Sequence, residues 1–179
     1  QHRQMFEWIP YFRAHNMNWD DPADGHYTSE NHIPDRYSYY AAMAPAMTDM
    51  TAFDADDSSF ALARQMQEIW RQAAEIMLSG DFYPLTECRK SAEDFFAVQF
   101  HEAESGRGFL LLLSNNRNQE GAFCAMLKGL DERANYILRN CETGERKLYP
   151  ARELMDGISF TLVQRSGIIY FYERECTND

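Results

Sequence analysis

Between Asp57 and Leu85 the chain reads DSSFALARQMQEIWRQAAEIMLSGDFYPL, and its hydrophobic pattern changes character at Gly80. Leu62, Met66, Ile69, Ala73, Ile76 and Met77 recur at three- and four-residue steps, which places them on one stripe of a long helix over 58–79. Asp57 or Ser58 is suited to accept the free amides of the first turn, and Gly80 to end the helix in the left-handed conformation. Asp81-Phe82-Tyr83-Pro84-Leu85 comes next. It is too aromatic for a solvated loop, and Pro84 drives Tyr83 out of the helical region, so extended chain begins here. The chain before this junction reads as helical and loop-rich, and the chain after it reads as strands. The expectation is a domain boundary without a flexible linker.

Downstream the period falls to two. Phe96, Val98 and Phe100 alternate with Ala97, Gln99 and His101, which marks the aromatic side as core. After the Ser105-Gly106-Arg107-Gly108 turn, Phe109 to Leu113 is apolar throughout, as in a strand covered on both faces. A turn at Asn115-Asn116-Arg117-Asn118 precedes a strand over Ala122–Leu127. Tyr136–Arg139, Arg146–Tyr149, Ile158–Val163 and Ile168–Tyr172 continue the series, with turns at Glu142-Thr143-Gly144-Glu145 and Arg165-Ser166-Gly167. Ala151–Asp156 reads as one inserted helical turn. Seven short strands with regular turn signals describe an antiparallel β-sandwich.

Upstream of the helix, Met5–Phe12 is aromatic and interrupted by Pro10, and reads as a buried strand leading into a loop. Arg13 to Asp35 is a long polar loop rich in Asp and His. Trp19, Tyr27 and Ile33 are interleaved in it, which favours an ordered, functional loop. Tyr37–Met50 reads as a short helix broken near Pro45. The first residues, Gln1-His2-Arg3-Gln4, are neither an initiator methionine nor the head of a signal peptide, so the sequence reads as part of something longer.

The composition is globular, with 45% hydrophobic and 14% aromatic residues. A net charge of -11 argues against a nucleic-acid partner, whose phosphates need a cationic face. No apolar run approaches the roughly 20 residues of a membrane span. Cys88, Cys124, Cys141 and Cys176 are irregularly spaced, which fits buried thiols in a reducing, cytoplasmic setting better than a disulfide framework or a zinc site. His2, His15, His26 and His32 show no metal-ligand spacing. Asp20, Asp21, Asp24 and Glu30 lack the order of a calcium loop and read as a solvated acidic face. Cys88 and Cys124 have nothing nearby in sequence to lower a thiol pKa. Neither a cofactor nor a metal is expected, and taken alone these residues specify no reaction.

Several segments, in order, resemble the C-terminal part of glycoside hydrolase family 36, the α-galactosidases. The first set is Asn31-His32-Ile33-Pro34-Asp35-Arg36, the long helix, Gly80-Asp81-Phe82-Tyr83-Pro84-Leu85 and Ala97-Val98-Gln99-Phe100. Leu127-Lys128-Gly129-Leu130-Asp131, Tyr136 and Glu142-Thr143-Gly144-Glu145 are similar to that family's C-terminal sandwich. The segment before Asn31 departs from the family pattern, as does the pair Pro34-Asp35, which leaves galactose specificity open.

The resemblance implies an α+β fragment: the last βα unit or units of a (β/α)8 barrel in residues 1–85, then an antiparallel β-sandwich in 86–179. A whole barrel needs about 250 residues, so most of it lies outside this sequence, and Met5–Ile9 is then a late barrel strand. The implied chemistry is retaining hydrolysis of an α-galactosidic bond by two carboxylates, and neither of the family's motifs is matched here. Trp8, His15, His32 and Arg36 are then candidates to line the sugar pocket, because late strand ends and their loops form the barrel mouth. The bland alternative is that Arg36 pairs with Asp35 or an interior carboxylate and His32 caps its loop. The partners implied are a carbohydrate substrate, the missing part of the barrel and a second copy in a homo-oligomer. The competing hypothesis is a non-catalytic β-sandwich module that binds carbohydrate or protein. A bare apolar side on the long helix would favour the fragment, and exposed aromatics on one sheet face would favour the module.

Overall fold

The computed structural model describes residues 14–18, 34–86, 95–114 and 121–176. The expected strand at Met5–Ile9, most of the polar loop and the Asn115–Asn118 turn lie outside these residues. Strand β1 (His15–Met17) stands at the start of the expected loop and pairs in parallel with β2 (Ala46–Thr48), in the register His15↔Ala46, Asn16↔Met47 and Met17↔Thr48. Between them lies helix α1 (Arg36–Ala41). The helix read over Tyr37–Met50 is therefore corrected: it stops at Ala41, and the chain goes on to an extended pairing with β1. Proline biases Ala44 away from helix, and the next amide, Ala46 N, bonds Ala14 O at 3.1 Å. A capping box starts α1. Ser38 N donates to Asp35 Oδ1 at 2.8 Å, and Asp35 N donates to Ser38 Oγ at 3.0 Å.

Helix α2 (Asp57–Ser79) has Asp56 as its cap, one residue earlier than expected, and Ser59 N donates to its carboxylate at 2.8 Å. Gly80 is also corrected. Its φ of -90° and ψ of 156° are extended, so no left-handed stop occurs. A glycine is needed for a different reason: a Cβ there would lie 2.8 Å from Ile76 O and 3.1 Å from His101 O. Close approach of helix end and strand fixes the residue.

The remaining strands are β3 (Asp81–Pro84), β4 (Phe95–Glu102), β5 (Arg107–Ser114), β6 (Gly121–Ala125), β7 (Asn135–Asn140), β8 (Arg146–Pro150), β9 (Ile158–Leu162) and β10 (Ser166–Arg174). Helix α3 (Ala151–Asp156) sits between β8 and β9, where the single helical turn was expected. An antiparallel sheet runs in the order β3-β4-β5-β10-β7-β8, and β6 pairs with β9 in a second, two-stranded sheet. Pro84 lies on the edge strand, where its missing donor costs no ladder bond.

The large sheet is covered on both faces. On one, Val98, Phe100, Phe109, Leu111, Leu113, Ile169 and Phe171 form a cluster with the buried stripe of α2 and with Tyr39, Tyr40 and Met43. On the other, Ala97, Leu110, Leu112, Tyr136, Leu138 and Tyr172 meet the β6–β9 pair, Leu127, Leu130 and Leu154. The alternation of β4 and β5 supplies both faces at once, and Phe109–Leu113 is buried on each, as its apolar run requires. The apolar stripe of α2 is thus buried by the chain's own sheet, so the segments on either side of Gly80 share one hydrophobic cluster.

Of the thiols within the described residues, Cys124 and Cys176 are exposed and only Cys141 is partly buried, which corrects the expectation of buried cysteines. Burial pushes the Cys141 thiol pKa up. Among the described residues no helix is long and apolar enough to cross a membrane.

Candidate functional site

Parallel strands direct their carboxyl ends to one side, and here those ends lead into Asn18 and Asp49. Asn18 is fully buried. Its Oδ1 accepts Met50 N at 2.7 Å, and its backbone N bonds Thr48 O at 3.3 Å. Asp49 Oδ1 accepts the Tyr39 hydroxyl at 2.8 Å, Thr51 N at 2.9 Å, the Thr51 hydroxyl at 2.7 Å and Asn18 Nδ2 at 3.4 Å. Gln67 Nε2, from α2, reaches Asp49 Oδ2 at 3.3 Å.

Burial alone would raise the Asp49 pKa, but the bonds from Thr51, Tyr39 and Asn18 outweigh it and hold the carboxyl below its usual range. Tyr39 is pushed up to about 12, by burial first and by Asp49 in addition. An ionised carboxylate with so many donors has little capacity to act as a general acid. What it does is fix the loop that leaves β2, and that loop carries Phe53, which is 96% exposed. Asp49 and Tyr39 do not stand out in the sequence, because Tyr37–Met50 reads as one helix and hides a strand end. The run Thr48-Asp49-Met50-Thr51 after a short apolar segment is the available signal.

Of the four candidate sugar contacts, Trp8 and His32 lie outside the described residues. His15 stands on the exposed side of β1, where Nε2 is 2.8 Å from Thr48 Oγ1 across the parallel pair. Arg36 opens α1 and has other partners. It donates to Gln65 Oε1 at 2.7 Å and to Glu142 Oε1 at 3.3 Å, in the β7–β8 turn. Tyr40 donates to the same Glu142 oxygen at 2.7 Å. No hydrogen bond or ion pair joins His15 to Arg36. Asp35 instead pairs with Arg165, whose guanidinium lies 4.9 Å from the Tyr37 ring centroid. Among the described residues no three metal-ligating side chains converge.

A second polar group lies buried between the layers. Gln99 Nε2 donates to Lys128 O and to the Tyr172 hydroxyl, both at 2.8 Å, while Gln99 Oε1 accepts Lys128 N at 2.8 Å. His101 Nδ1 is 3.1 Å from the Tyr172 hydroxyl, and the two rings stack with centroids 5.8 Å apart. Gly129 adopts φ +73°, and a Cβ on it would meet the Tyr83 hydroxyl at 2.8 Å. Asp131 N donates to the Tyr136 hydroxyl at 3.0 Å.

No protein-family model matches the sequence, and no curated protein is similar to it. Solved structures do match the fold. The α-galactosidase AgaA of Geobacillus stearothermophilus, in complex with stachyose, superposes with a TM-score of 0.68 at 15% identity, over 90% of this chain and 22% of that one. The α-galactosidase of Lactobacillus brevis gives 0.66 at 11% identity, over 93% of this chain and 23% of that one. The galactosidase domain of the α-galactosidase-sucrose kinase AgaSK gives 0.65 at 15%, over 90% and 22%. The fold is that of a segment of a family 36 α-galactosidase. The resemblance read in the sequence to that family's C-terminal part thus returns as a likeness of fold. The chain spans about a fifth of the length of the α-galactosidases it matches. The segment Leu127–Asp131 gains a physical reason here: Gln99 holds its backbone like a strand partner, and Leu127 and Leu130 are buried on either side of Gly129.

Proposed function

We propose that this chain is the C-terminal portion of a retaining α-glycosidase of the α-galactosidase kind. In this reading residues 1–85 close a (β/α)8 barrel and 86–179 form the β-sandwich beside it. The observation that carries the reading is the parallel pair β1–β2, set among described strands whose other pairs are all antiparallel. Among the described residues neither outer edge of the pair meets another strand, and His15, Met17, Ala46 and Thr48 leave one side open. An isolated parallel pair is too small to persist alone and belongs in a larger, covered sheet.

The likeness of fold to α-galactosidases supports the same reading. The chemistry is then displacement at the anomeric carbon by one carboxylate while a second protonates the leaving oxygen, the two about 5–5.5 Å apart. Both carboxylates come from strands outside this sequence. Trp8, His15, His32 and Arg36 remain the proposed contacts around the sugar, with a reducing, cytoplasmic setting and self-association part of the same proposal.

The second reading, a free-standing β-module for carbohydrate or protein, is favoured by the α2 stripe, which the chain's own sheet already covers. Two experiments separate them. The purified chain should release no aryl group from an aryl α-galactoside, whereas the chain joined to the coding sequence upstream of it should. Turnover by this chain alone would contradict the missing carboxylates. An upstream reading frame without several hundred residues of βα pattern would remove the hydrolase reading.

A further inference from the structure

Beside α2 a pocket of about 180 Å³ opens between the helix and strands β5, β10 and β7. Its apolar floor is Ile76, Ile137 and Phe171. Around the rim stand Gln72 and Glu75 from the helix, Arg107 from β5, Arg139 from β7 and Glu173 from β10. The volume holds about six waters at 30 Å³ each, so the occupant is small.

The Arg139 guanidinium lies 5.1 Å from the Phe171 ring centroid and donates to Gln72 Oε1 at 2.7 Å. Stack and bond fix its plane, and among the described residues no carboxylate pairs with it, so most of its five donors are unused. Glu173 accepts Arg146 at 2.7 Å through Oε1, which leaves Oε2 to accept from the pocket. Glu75 is 3.8 Å from Arg107, beyond hydrogen-bond length.

The charges at the rim select the class of ligand. Arg107 is taken up by Glu102 and Glu173 by Arg146, so the Glu75 carboxylate is left to oppose an anion and the Arg139 guanidinium to oppose a cation. A neutral ligand whose hydroxyls both donate and accept satisfies both kinds of group over the apolar floor. We infer that this pocket binds a small neutral polyol of monosaccharide size, at a site between α2 and the large sheet that is separate from the strand ends of β1 and β2. The inference goes beyond the proposed hydrolase function and does not depend on it, because it is argued from residues of this chain alone.

The test is ligand-observed NMR with calorimetry on the purified chain, with galactose, glucose and glycerol as neutral probes and galacturonate and galactosamine as charged ones. The expected result is weak, saturable hexose binding that falls about tenfold or more in both Arg139→Gln and Glu75→Gln, with melting curves unchanged. Glu75 is exposed and Arg139 half-buried at the pocket rim, and neither belongs to the apolar clusters, so such variants are compatible with folding. Absence of saturable binding by every neutral probe would overturn the inference. Hexose binding untouched by both variants would do so too, as would tighter binding of either charged sugar. Failure here leaves turnover of an α-galactoside by the extended protein unaffected, so the two proposals fall separately.

Discussion

Gln99→Leu isolates what holds the Leu127–Asp131 segment in place. The substitution roughly conserves volume but deletes three hydrogen bonds, two to the backbone of Lys128 and one to the Tyr172 hydroxyl. A buried polar group left without a partner costs about 1–3 kcal/mol. The Tyr172 hydroxyl keeps Phe100 O at 3.2 Å and His101 Nδ1 at 3.1 Å, so its loss is small. Lys128 is exposed at its side chain and its backbone regains some water, which removes part of the second penalty. The sum is about 2–4 kcal/mol, a large fraction of the roughly 5–15 kcal/mol that holds a domain. At about 2–4 °C per kcal/mol for a chain of this size, the melting temperature should fall by roughly 5–15 °C. Trypsin supplies a local readout, because cleavage after Lys128 should accelerate more than cleavage at Arg152 on α3. A loss under about 1 kcal/mol with unchanged cleavage at Lys128 would refute the reasoning and assign the hold to burial of Leu127 and Leu130.

Three further outcomes are expected. Gly129→Ala combines a left-handed φ of +73° with a contact at the Tyr83 hydroxyl, whereas Gly144→Ala has φ +72° and open space; melting curves should show the first clearly below the second, which bears only the backbone strain of about 1–2 kcal/mol. Met66→Ala, at the centre of the α2 stripe, should cost about 2–5 kcal/mol in urea unfolding through the cavity it leaves. Two groups set the acid limb of stability. Burial pushes the His101 pKa below 6.5, so the unfolded chain binds the proton more readily and stability falls as pH drops below that value. The Arg107 guanidinium, with the Ser79 and Ser105 hydroxyls, holds Glu102 at about 2 against 4.5, so its contribution is full above 4.5 and is lost as pH falls towards 2. Glu102→Gln should flatten the lower part of the pH profile and His101→Asn the upper part, measured as unfolding free energy against pH.

Local signals find the elements that obey one strong period. The α2 stripe, the apolar run of β5 and the turn at Ala151–Asp156 each occupy the residues expected, because patterning of that length overrides neighbouring effects. Strands β1 and β2 escape because each has three residues, too few to show a period. Their pairing is parallel and joins positions about thirty apart, so no turn chemistry marks it. Gly80 shows a related limit. A glycine after a helix signals a left-handed cap from local rules, yet here its missing Cβ makes room for the His101 carbonyl of another strand. Only the assembled packing distinguishes the two uses.

The strand Phe95–Glu102 shows why the buried polar group is the hardest part to read. Alternation assigns Phe96, Val98 and Phe100 to the core, and by the same rule assigns Gln99 and His101 to solvent. Both are buried, because a second layer built from β6, β9 and the Leu127–Asp131 segment covers that side. Period two separates the faces of a strand but does not state what lies against either one. The covering segment carries its own local signal, Leu127 and Leu130 set around Gly129 at φ +73°. The hydrogen bonds of Gln99 join these observations: a polar residue that periodicity sets aside is the partner that fixes the backbone of the covering segment. A buried amide that pairs with a loop's N–H and C=O excludes other registers of that loop, since a shift by one residue would strand two polar groups away from water. Specificity of the interlayer contact therefore rests on the polar positions of β4, and its adhesion on the apolar residues around them.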